Sequence, residues 1–384
     1  MAAGVVWAGV TLLVGRGAAG PIYSFSLPSA PDVTLEMSPA FINHVGAEFL
    51  DHRTSDGPNI LLARSYGDHG IYHSTDMGET WTRIPTPGEN YPRGFVTGEG
   101  CVLLWNGHQL HLRTLRGKLL ATQPDAPWPW LGSWGIGQAG STIMYAEYSV
   151  FQAKELRVFR SGDGGRMWSV VFRQTTDMSD NPQIRHFHLV QPDPYYPNHW
   201  YLSSGDLPKE SRVWRSVDDG RTWVEVTDPE AVKAGHEGLH RFTATVFTPD
   251  CIYWATDDLV RSTQAKVVRA TRGTPLHLEV LGPAGDECMR NAVVTDHGII
   301  FISEHSVGRS PGARVYVLTP DQRILQVGTL TRHNKMVRPE AVTTSLSSRS
   351  ASRDQFFTWG CGELFTIKTE LYRWEFRKLP GPHP

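Results

Sequence analysis

Short apolar–polar alternations separated by Gly, Pro and Asp fill most of this chain. Residues i and i+2 of a strand face one way, so such alternation predicts half-buried β-strands. The clearest unit has four: His186 to Gln191, Trp200 to Ser204, Arg212 to Ser216, and Thr222 to Val226. A second follows with Phe242 to Phe247, Ile252 to Thr256, Lys266 to Ala270 and Leu276 to Leu281. A third holds Ala292 to Thr295, Ile299 to Ser303, Arg314 to Leu318 and Ile324 to Val327. The last holds Glu340 to Thr344, Gln355 to Trp359, Leu364 to Lys368 and Tyr372 to Lys378. Three more units precede them. These are Gly46 to Leu50, Ile60 to Ser65, Gly70 to Ser74 and Thr80 to Ile84; then Phe95 to Gly98, Val102 to Trp105, Leu110 to Thr114 and Lys118 to Thr122; then Trp134 to Gln138, Thr142 to Glu147, Leu156 to Arg160 and Trp168 to Phe172. The spacing of roughly 45–50 residues per unit is the period of four-stranded propeller blades.

An eight-residue pattern repeats at the turn between the third and fourth strands. Ser74-Thr75-Asp76-Met77-Gly78-Glu79-Thr80-Trp81 and Ser216-Val217-Asp218-Asp219-Gly220-Arg221-Thr222-Trp223 match at every fixed position. Ser161-Gly162-Asp163-Gly164-Gly165-Arg166-Met167-Trp168 departs only at Met167. Asp and Gly in such a turn supply a backbone acceptor and a positive φ. The pattern resembles the Asp-box (BNR) repeat, S-x-D-x-G-x-T-W, of sialidases and other carbohydrate-active β-propellers. That resemblance implies an all-β propeller of four-stranded antiparallel blades. Seven blades between about residues 44 and 378 are expected, with eight as the alternative. Residues 41–384 then form one propeller domain. Residues 1–40, with strand-like pieces at Val10 to Val14, Ile22 to Leu27 and Val33 to Met37, form an incomplete blade or a strap across the ring seam. The only helical signal is a short turn at Pro229 to Ala234.

Composition adds little beyond this. With 384 residues, 37 Gly, 26 Pro and 13 Trp, the chain fits a turn-rich β protein. A net charge of −2 gives no reason to expect nucleic acid or an anionic membrane as partner. The four Cys show no C-x-x-C spacing, so no zinc framework is expected, and buried or free thiols are. Val5 to Val14 is apolar and of signal-peptide length, but no Lys or Arg precedes it, which favours a cytoplasmic chain over a secreted one.

The turn phase directs attention to the other face of the ring. If the octapeptides lie between third and fourth strands, the starts of first strands and the ends of second strands converge on the opposite face, around the axis. Arg93, Arg185, Arg241, Arg290 and Arg338 stand at or just before proposed first strands. Guanidinium groups grip carboxylates or sulfates in bidentate fashion, so the expected ligand is an acidic carbohydrate or another anionic small molecule. Alternatively these arginines pair with the carboxylates at second-strand ends, Asp206, Asp257, Asp258 and Glu304. His186 and His188, one strand repeat apart, face the same way, and His240 enters the next unit beside Arg241. Imidazoles there suit a general base, and a His-x-His pair can also hold a divalent metal. Tyr148 is a candidate general acid. Trp128, Trp130 and Trp134 suit either the apolar face of a sugar or packing between blades.

Sialidases carry F/Y-R-I-P near the N-terminus, and Tyr91-Pro92-Arg93-Gly94 is only a faint echo of it. The inventory resembles in residue type the His, Tyr and Arg of propeller polysaccharide lyases. The functional expectation is a carbohydrate-active enzyme acting on an acidic glycan. As a lyase it would use Arg185, Arg241 or Arg290 for the uronate, His186 or His188 as base and Tyr148 as acid. As a hydrolase it would use a pair from Asp206, Asp257 and Glu304. The alternative is a non-catalytic propeller that binds a glycan or a protein, with Arg93, His240 and Arg338 completing the binding set.

Overall fold

The computed structural model describes residues 15–17, 20–27, 30–42, 47–53, 60–65, 68–76, 78–88, 90–130, 134–149, 155–175, 185–205, 210–243, 245–256, 265–283, 289–303, 313–330, 340–342, 355–362 and 368–378. These form a seven-bladed β-propeller. Blades one to six are four-stranded antiparallel sheets with strands in chain order. Blade one is built from Ala47–Arg53, Ile60–Ser65, Ile71–Ser74 and Thr82–Ile84, and blade two from Arg93–Val96, Val102–Trp105, Leu110–Arg113 and Leu119–Gln123. Blade three has Ile136–Ala139, Thr142–Ala146, Glu155–Ser161 and Ser169–Thr175. Blade four has Phe187–Pro192, Trp200–Ser204, Arg212–Ser216 and Val224–Glu225. Blade five has Val246–Phe247, Cys251–Ala255, Lys266–Thr271 and His277–Pro283, and blade six has Met289–Thr295, Gly298–Ser303, Ala313–Leu318 and Ile324–Leu330.

Blade seven departs from the order read along the chain. Glu340–Val342, Gln355–Gly362 and Lys368–Lys378 are its first three strands, and Ala30–Ile42 is its fourth. The expected third and fourth strands, Leu364 to Lys368 and Tyr372 to Lys378, are replaced by one long strand, Lys368–Lys378. That strand pairs with Gln355–Gly362 on one edge and, from Val33↔Lys378 to Ile42↔Glu370, with Ala30–Ile42 on the other. Gly20–Leu27 and Gly15–Gly17 extend the sheet outward to six strands. Blade five also departs. Of the expected strand Phe242 to Phe247 only Val246–Phe247 is regular, with Phe242 in an isolated bridge to Thr256. The backbone N–H and hydroxyl of Thr243 both donate to the Ala255 carbonyl there, which takes the chain off the ladder.

The core is a series of layers between blades. Phe95, Leu103 and Leu110 of blade two meet Ile143, Tyr145 and Phe159 of blade three. Met144 and Val158 of blade three meet Phe187, Val190 and Trp200 of blade four. The same arrangement joins blades four and five, five and six, and one and two. Between blades six and seven, Val293, Ile300 and Val317 pack on Phe25, Leu27, Val33 and Leu35 from the N-terminal strands. Gly328 lies directly under the Phe25 ring, where a Cβ would sit 2.3 Å from Cδ1.

The three octapeptides make the same turn. Each Ser hydroxyl accepts the Gly N–H at 2.8 Å and donates to the Asp carboxylate. Each Asp accepts the N–H four residues on, at 2.9 Å. Each Trp indole donates to the Gly carbonyl. Met167 is accommodated because its backbone N–H makes that bond, and only the hydroxyl contact that Thr80 and Thr222 add is lost. Asp76 and Asp218 are held down at about 2. The Thr80 hydroxyl leads for Asp76. For Asp218, slight burial opposes the shift and the bonds from Thr222, Ser216 and Arg221 outweigh it.

The turn of blade four also grips blade three. Asp219, at φ +63°, accepts Thr142 Oγ1 at 2.7 Å and Arg160 Nη2 at 2.5 Å, and its carbonyl accepts Arg160 Nε at 2.7 Å. Gly220 lies against Met144, and a Cβ there would fall 2.1 Å from Cε. Gly220→Ala therefore combines a disfavoured φ of +79° with overpacking. A Cβ on Gly235, at φ +73°, would meet nothing within 4 Å, so that position isolates the backbone effect. We expect Gly235→Ala to cost about 1 kcal/mol and Gly220→Ala about 1–3 kcal/mol more, measured by urea denaturation. Equal losses would show that the inter-blade contact contributes nothing.

Candidate functional site

The site lies where blades three, four and five meet on the face opposite the octapeptide turns. Tyr148 and Ser149 leave the second strand of blade three. Arg185 and His186 lead into the first strand of blade four, and Glu210 and Ser211 precede its third strand. Arg241 precedes blade five. Backbone bonds bring these segments together: Phe187 N–H donates to Glu147 O at 3.3 Å, and Tyr148 N–H to Pro129 O at 2.8 Å.

Tyr148, His186 and His188 form a stack. The Tyr148 and His186 rings are 4.2 Å apart between centroids. His186 Nε2 lies 3.0 Å from His188 Nε2, and His186 Nδ1 lies 3.2 Å from the Ser149 carbonyl oxygen. Both imidazoles are buried, at 3% and 2% exposure, whereas Tyr148 is half-buried. The strand is not regular here. Phe187 pairs with Ser204 and Leu189 with Ser203, so His188 is the extra residue of a β-bulge. A bulge turns a side chain away from simple alternation, and this one turns the His188 ring onto His186. Arg290 occupies the corresponding extra position between Met289 and Asn291 in blade six.

Two of the arginines flank one connection of blade four. Arg185 is exposed at the ring face, with its Nε 3.6 Å from the buried Glu210 carboxylate. Arg241 is fully buried and donates from Nε to Ser211 Oγ at 3.1 Å. Its burial places it in the packing at the blade four–five boundary. Arg93 opens the first strand of blade two and donates to the Pro92 carbonyl at 3.0 Å. The side chain of Arg290 and all of Arg338, Asp206, Asp257 and Glu304 lie outside the described residues.

His240 stands next to Arg241 in the chain. It is fully buried, its Nδ1 faces the Glu237 carbonyl at 3.1 Å, and its Nε2 accepts the Asp228 N–H at 3.0 Å. Both nitrogens are taken by backbone. Asp228 itself caps the short helix Pro229–Lys233 and accepts the Leu278 N–H. His240 thus ties a turn to a helix cap. Trp130 and Trp134 are buried in core layers, and Trp130 packs against Tyr145, so for these two the packing alternative holds.

The groups not anticipated are Glu210, Ser149 and Arg157. Glu147 is fully buried and receives Arg157 in a two-pronged pair at 2.9 and 3.1 Å, with the Arg157 N–H at 2.8 Å. Burial still holds its carboxyl above the ordinary range despite the guanidinium. This pair braces the segment that carries Tyr148. Only the acidic residue beside Tyr148 was a sequence-level hint of it. Among the described residues no group of three or more His, Cys, Asp or Glu is placed to hold a metal.

The chain resembles solved propellers. YCF48 from Cyanidioschyzon merolae matches over 88% of this chain and 98% of its own, with a TM-score of 0.55 and 11% identity. A puromycin-hydrolyzing peptidase from Mycobacterium tuberculosis matches over 94% of this chain and 56% of its own, with a TM-score of 0.52 and 13% identity. A gluconolactonase from Xanthomonas campestris matches over 96% of this chain and 99% of its own, with a TM-score of 0.48 and 8% identity. At these identities the likeness is one of fold alone. No family model matches the chain, and no curated protein does.

Burial holds the His240 pKa below its ordinary 6.5, against the pull of the Glu237 carbonyl. A depressed folded pKa makes the stabilisation complete above about 6.5 and lost as pH falls below it. We expect thermal midpoints of the wild type to fall between about pH 7 and pH 5 more steeply than those of His240→Gln, the two converging in acid. Parallel curves would remove His240 as a source of acid sensitivity.

Proposed function

We propose that this propeller is a carbohydrate-active enzyme that binds an acidic glycan at the axial opening beside blades three to five, and acts on it as a lyase. The observation that carries this reading is the Tyr148–His186–His188 stack, with the exposed Arg185 preceding it on the same strand. The Arg185 guanidinium would pair with a uronate carboxylate and lower the cost of removing the proton beside it. The imidazole pair would take that proton, and Tyr148 would supply one to the leaving oxygen. A hydrolase would need two carboxylates facing the bond to be cleaved. Glu147, beside Tyr148, and Glu210, whose carboxylate faces Arg185, are each held by an arginine. The pair expected for a hydrolase, drawn from Asp206, Asp257 and Glu304, remains the alternative chemistry. The Asp-box likeness of the three turns to those of sialidase-type propellers agrees with a carbohydrate ligand of either kind.

A second reading is a non-catalytic glycan-binding propeller. It is favoured by the burial of both imidazoles, which leaves Arg185 and Tyr148 as the accessible groups. A panel of uronate-containing, sialylated and sulfated glycans separates the two, read by the ultraviolet absorbance of unsaturated uronate and by calorimetric binding. The lyase predicts absorbance growth, abolished in Arg185→Ala through both KM and kcat and lowered about 10²–10⁴-fold in kcat by Tyr148→Phe. Binding without turnover selects the second reading. Neither binding nor turnover across the panel overturns both.

A further inference from the structure

Asn106-Gly107-His108-Gln109 connects the second and third strands of blade two, on the face opposite the octapeptide turns. It contains the one Asn-Gly pair of the sequence. The turn is held at several points. Asn106 N–H donates to the Gln109 carbonyl at 3.1 Å, and Ala126 N–H donates to the His108 carbonyl at 3.0 Å. The Trp105 indole donates to the Ala126 carbonyl at 2.7 Å, which fixes the turn against the segment that leaves the blade.

Within this frame the side-chain amide of Asn106 is placed for attack by its own backbone. Its Oδ1 accepts the His108 N–H at 3.2 Å and the Gln109 N–H at 2.9 Å. Two donors require the oxygen there, so Nδ2 occupies the other corner of the amide. The ring closed by the His108 bond contains both Asn106 Cγ and the Gly107 nitrogen, which keeps electrophile and nucleophile close. The Gly107 N–H has no hydrogen-bond partner among the described residues, so no bond is broken to bring it to Cγ. Gly107 stands at φ +108°, and a Cβ on it would meet nothing within 4 Å. The peptide plane is therefore free to turn onto Cγ with no side chain in the way.

We propose that Asn106 is a self-modification site, converted through a cyclic imide to aspartate and isoaspartate with release of ammonia. Hydroxide takes the Gly107 N–H proton and the nitrogen bonds to Cγ. The Cγ–Oδ1 π pair moves onto Oδ1, where the His108 and Gln109 N–H groups already donate, as the donors of an oxyanion hole do. That pair then returns, the Cγ–Nδ2 bond breaks, and Nδ2 takes a proton from water and leaves as ammonia, which regenerates hydroxide. A second water opens the imide. Cleavage of the new Cγ–N bond gives aspartate. Cleavage of the main-chain bond between Asn106 and Gly107 gives isoaspartate, with the chain running through Cγ. No oxidant or reductant takes part. The aspartate carboxylate keeps both N–H bonds, now charge-assisted, so this product retains the turn. The isoaspartyl product lengthens the main chain and loses it. Either one adds a negative charge to the face that carries Tyr148 and Arg185. The proposal does not depend on the glycan reading.

The test holds the full chain at mildly alkaline pH, folded in buffer and unfolded in guanidinium chloride. Mass spectrometry of the proteolytic peptide spanning Asn106 follows the conversion, and enzymatic methylation of isoaspartyl groups separates the two products. The expected result is conversion at Asn106 in the folded chain, at least as fast as in the unfolded one. Asn106→Gln should abolish it, because the longer side chain must close a larger ring. Asn106→Asp, which stands for the direct product, should keep the wild-type thermal midpoint. Slower conversion in the folded chain, or none, would overturn the proposal, since the turn would then protect the amide. A lowered midpoint in Asn106→Asp would overturn the claim that the aspartate product retains the turn.

Discussion

A ring of sheets has to close on itself, and in this protein closure is the pairing of Ala30–Ile42 with Lys368–Lys378. Each described apolar layer lies between two blades, so no blade can bury its faces alone. The N-terminal strands complete the layer on blade six, with Phe25 resting on Gly328. The first strand of blade seven, Glu340–Val342, contacts the first strands of both blade six and blade one, which sets the last sheet between its neighbours. Hydrophobic burial stabilises the fold only once this circuit is complete.

The two faces of the ring divide the work. On one face the Ser–Asp–Gly–Trp turns are closed by their own hydrogen bonds, and Asp219 reaches back to Thr142 and Arg160 of the preceding blade. On the other face the connections cross blade boundaries. Tyr148 and Ser149 belong to blade three while His186 and His188 belong to blade four, so the stack exists only at the spacing the ring imposes. That spacing is tight at Gly137, where a Cβ would lie 2.8 Å from Pro192 and 2.9 Å from the Val190 carbonyl. Glu147 with Arg157 stiffens the blade-three side, and Glu210 anchors Arg185 on the other.

Most of this ring was legible in the alternation of residues. The octapeptides set the strand phase, and blades one to six begin and end within a few residues of the expected positions. Blade seven was not legible, because nothing local in Ala30–Ile42 says that its partner lies more than three hundred residues away. The phase drew attention to Tyr148, His186 and His188, whose rings the structure stacks together. It could not show that Arg241 and His240 are buried, since an arginine or histidine before a strand reads the same whether it meets a ligand or a backbone carbonyl. The bulge at His188 and the Ser149 carbonyl were invisible for a related reason: both are backbone events, and neither demands a particular side chain.

The closing strand also has a consequence for biosynthesis. Ala30–Ile42 precedes every blade in the chain, yet its partner, Lys368–Lys378, follows all six four-stranded blades. Until blade six is made, Phe25, Leu27, Val33 and Leu35 have no sheet to cover. A nascent chain must therefore carry a strand paired on one edge only, with Gly20–Leu27, through the synthesis of six blades. Such a segment invites pairing with other chains, and long-range closure is slow. The open edge of that strand is therefore exposed to other chains until its partner is made.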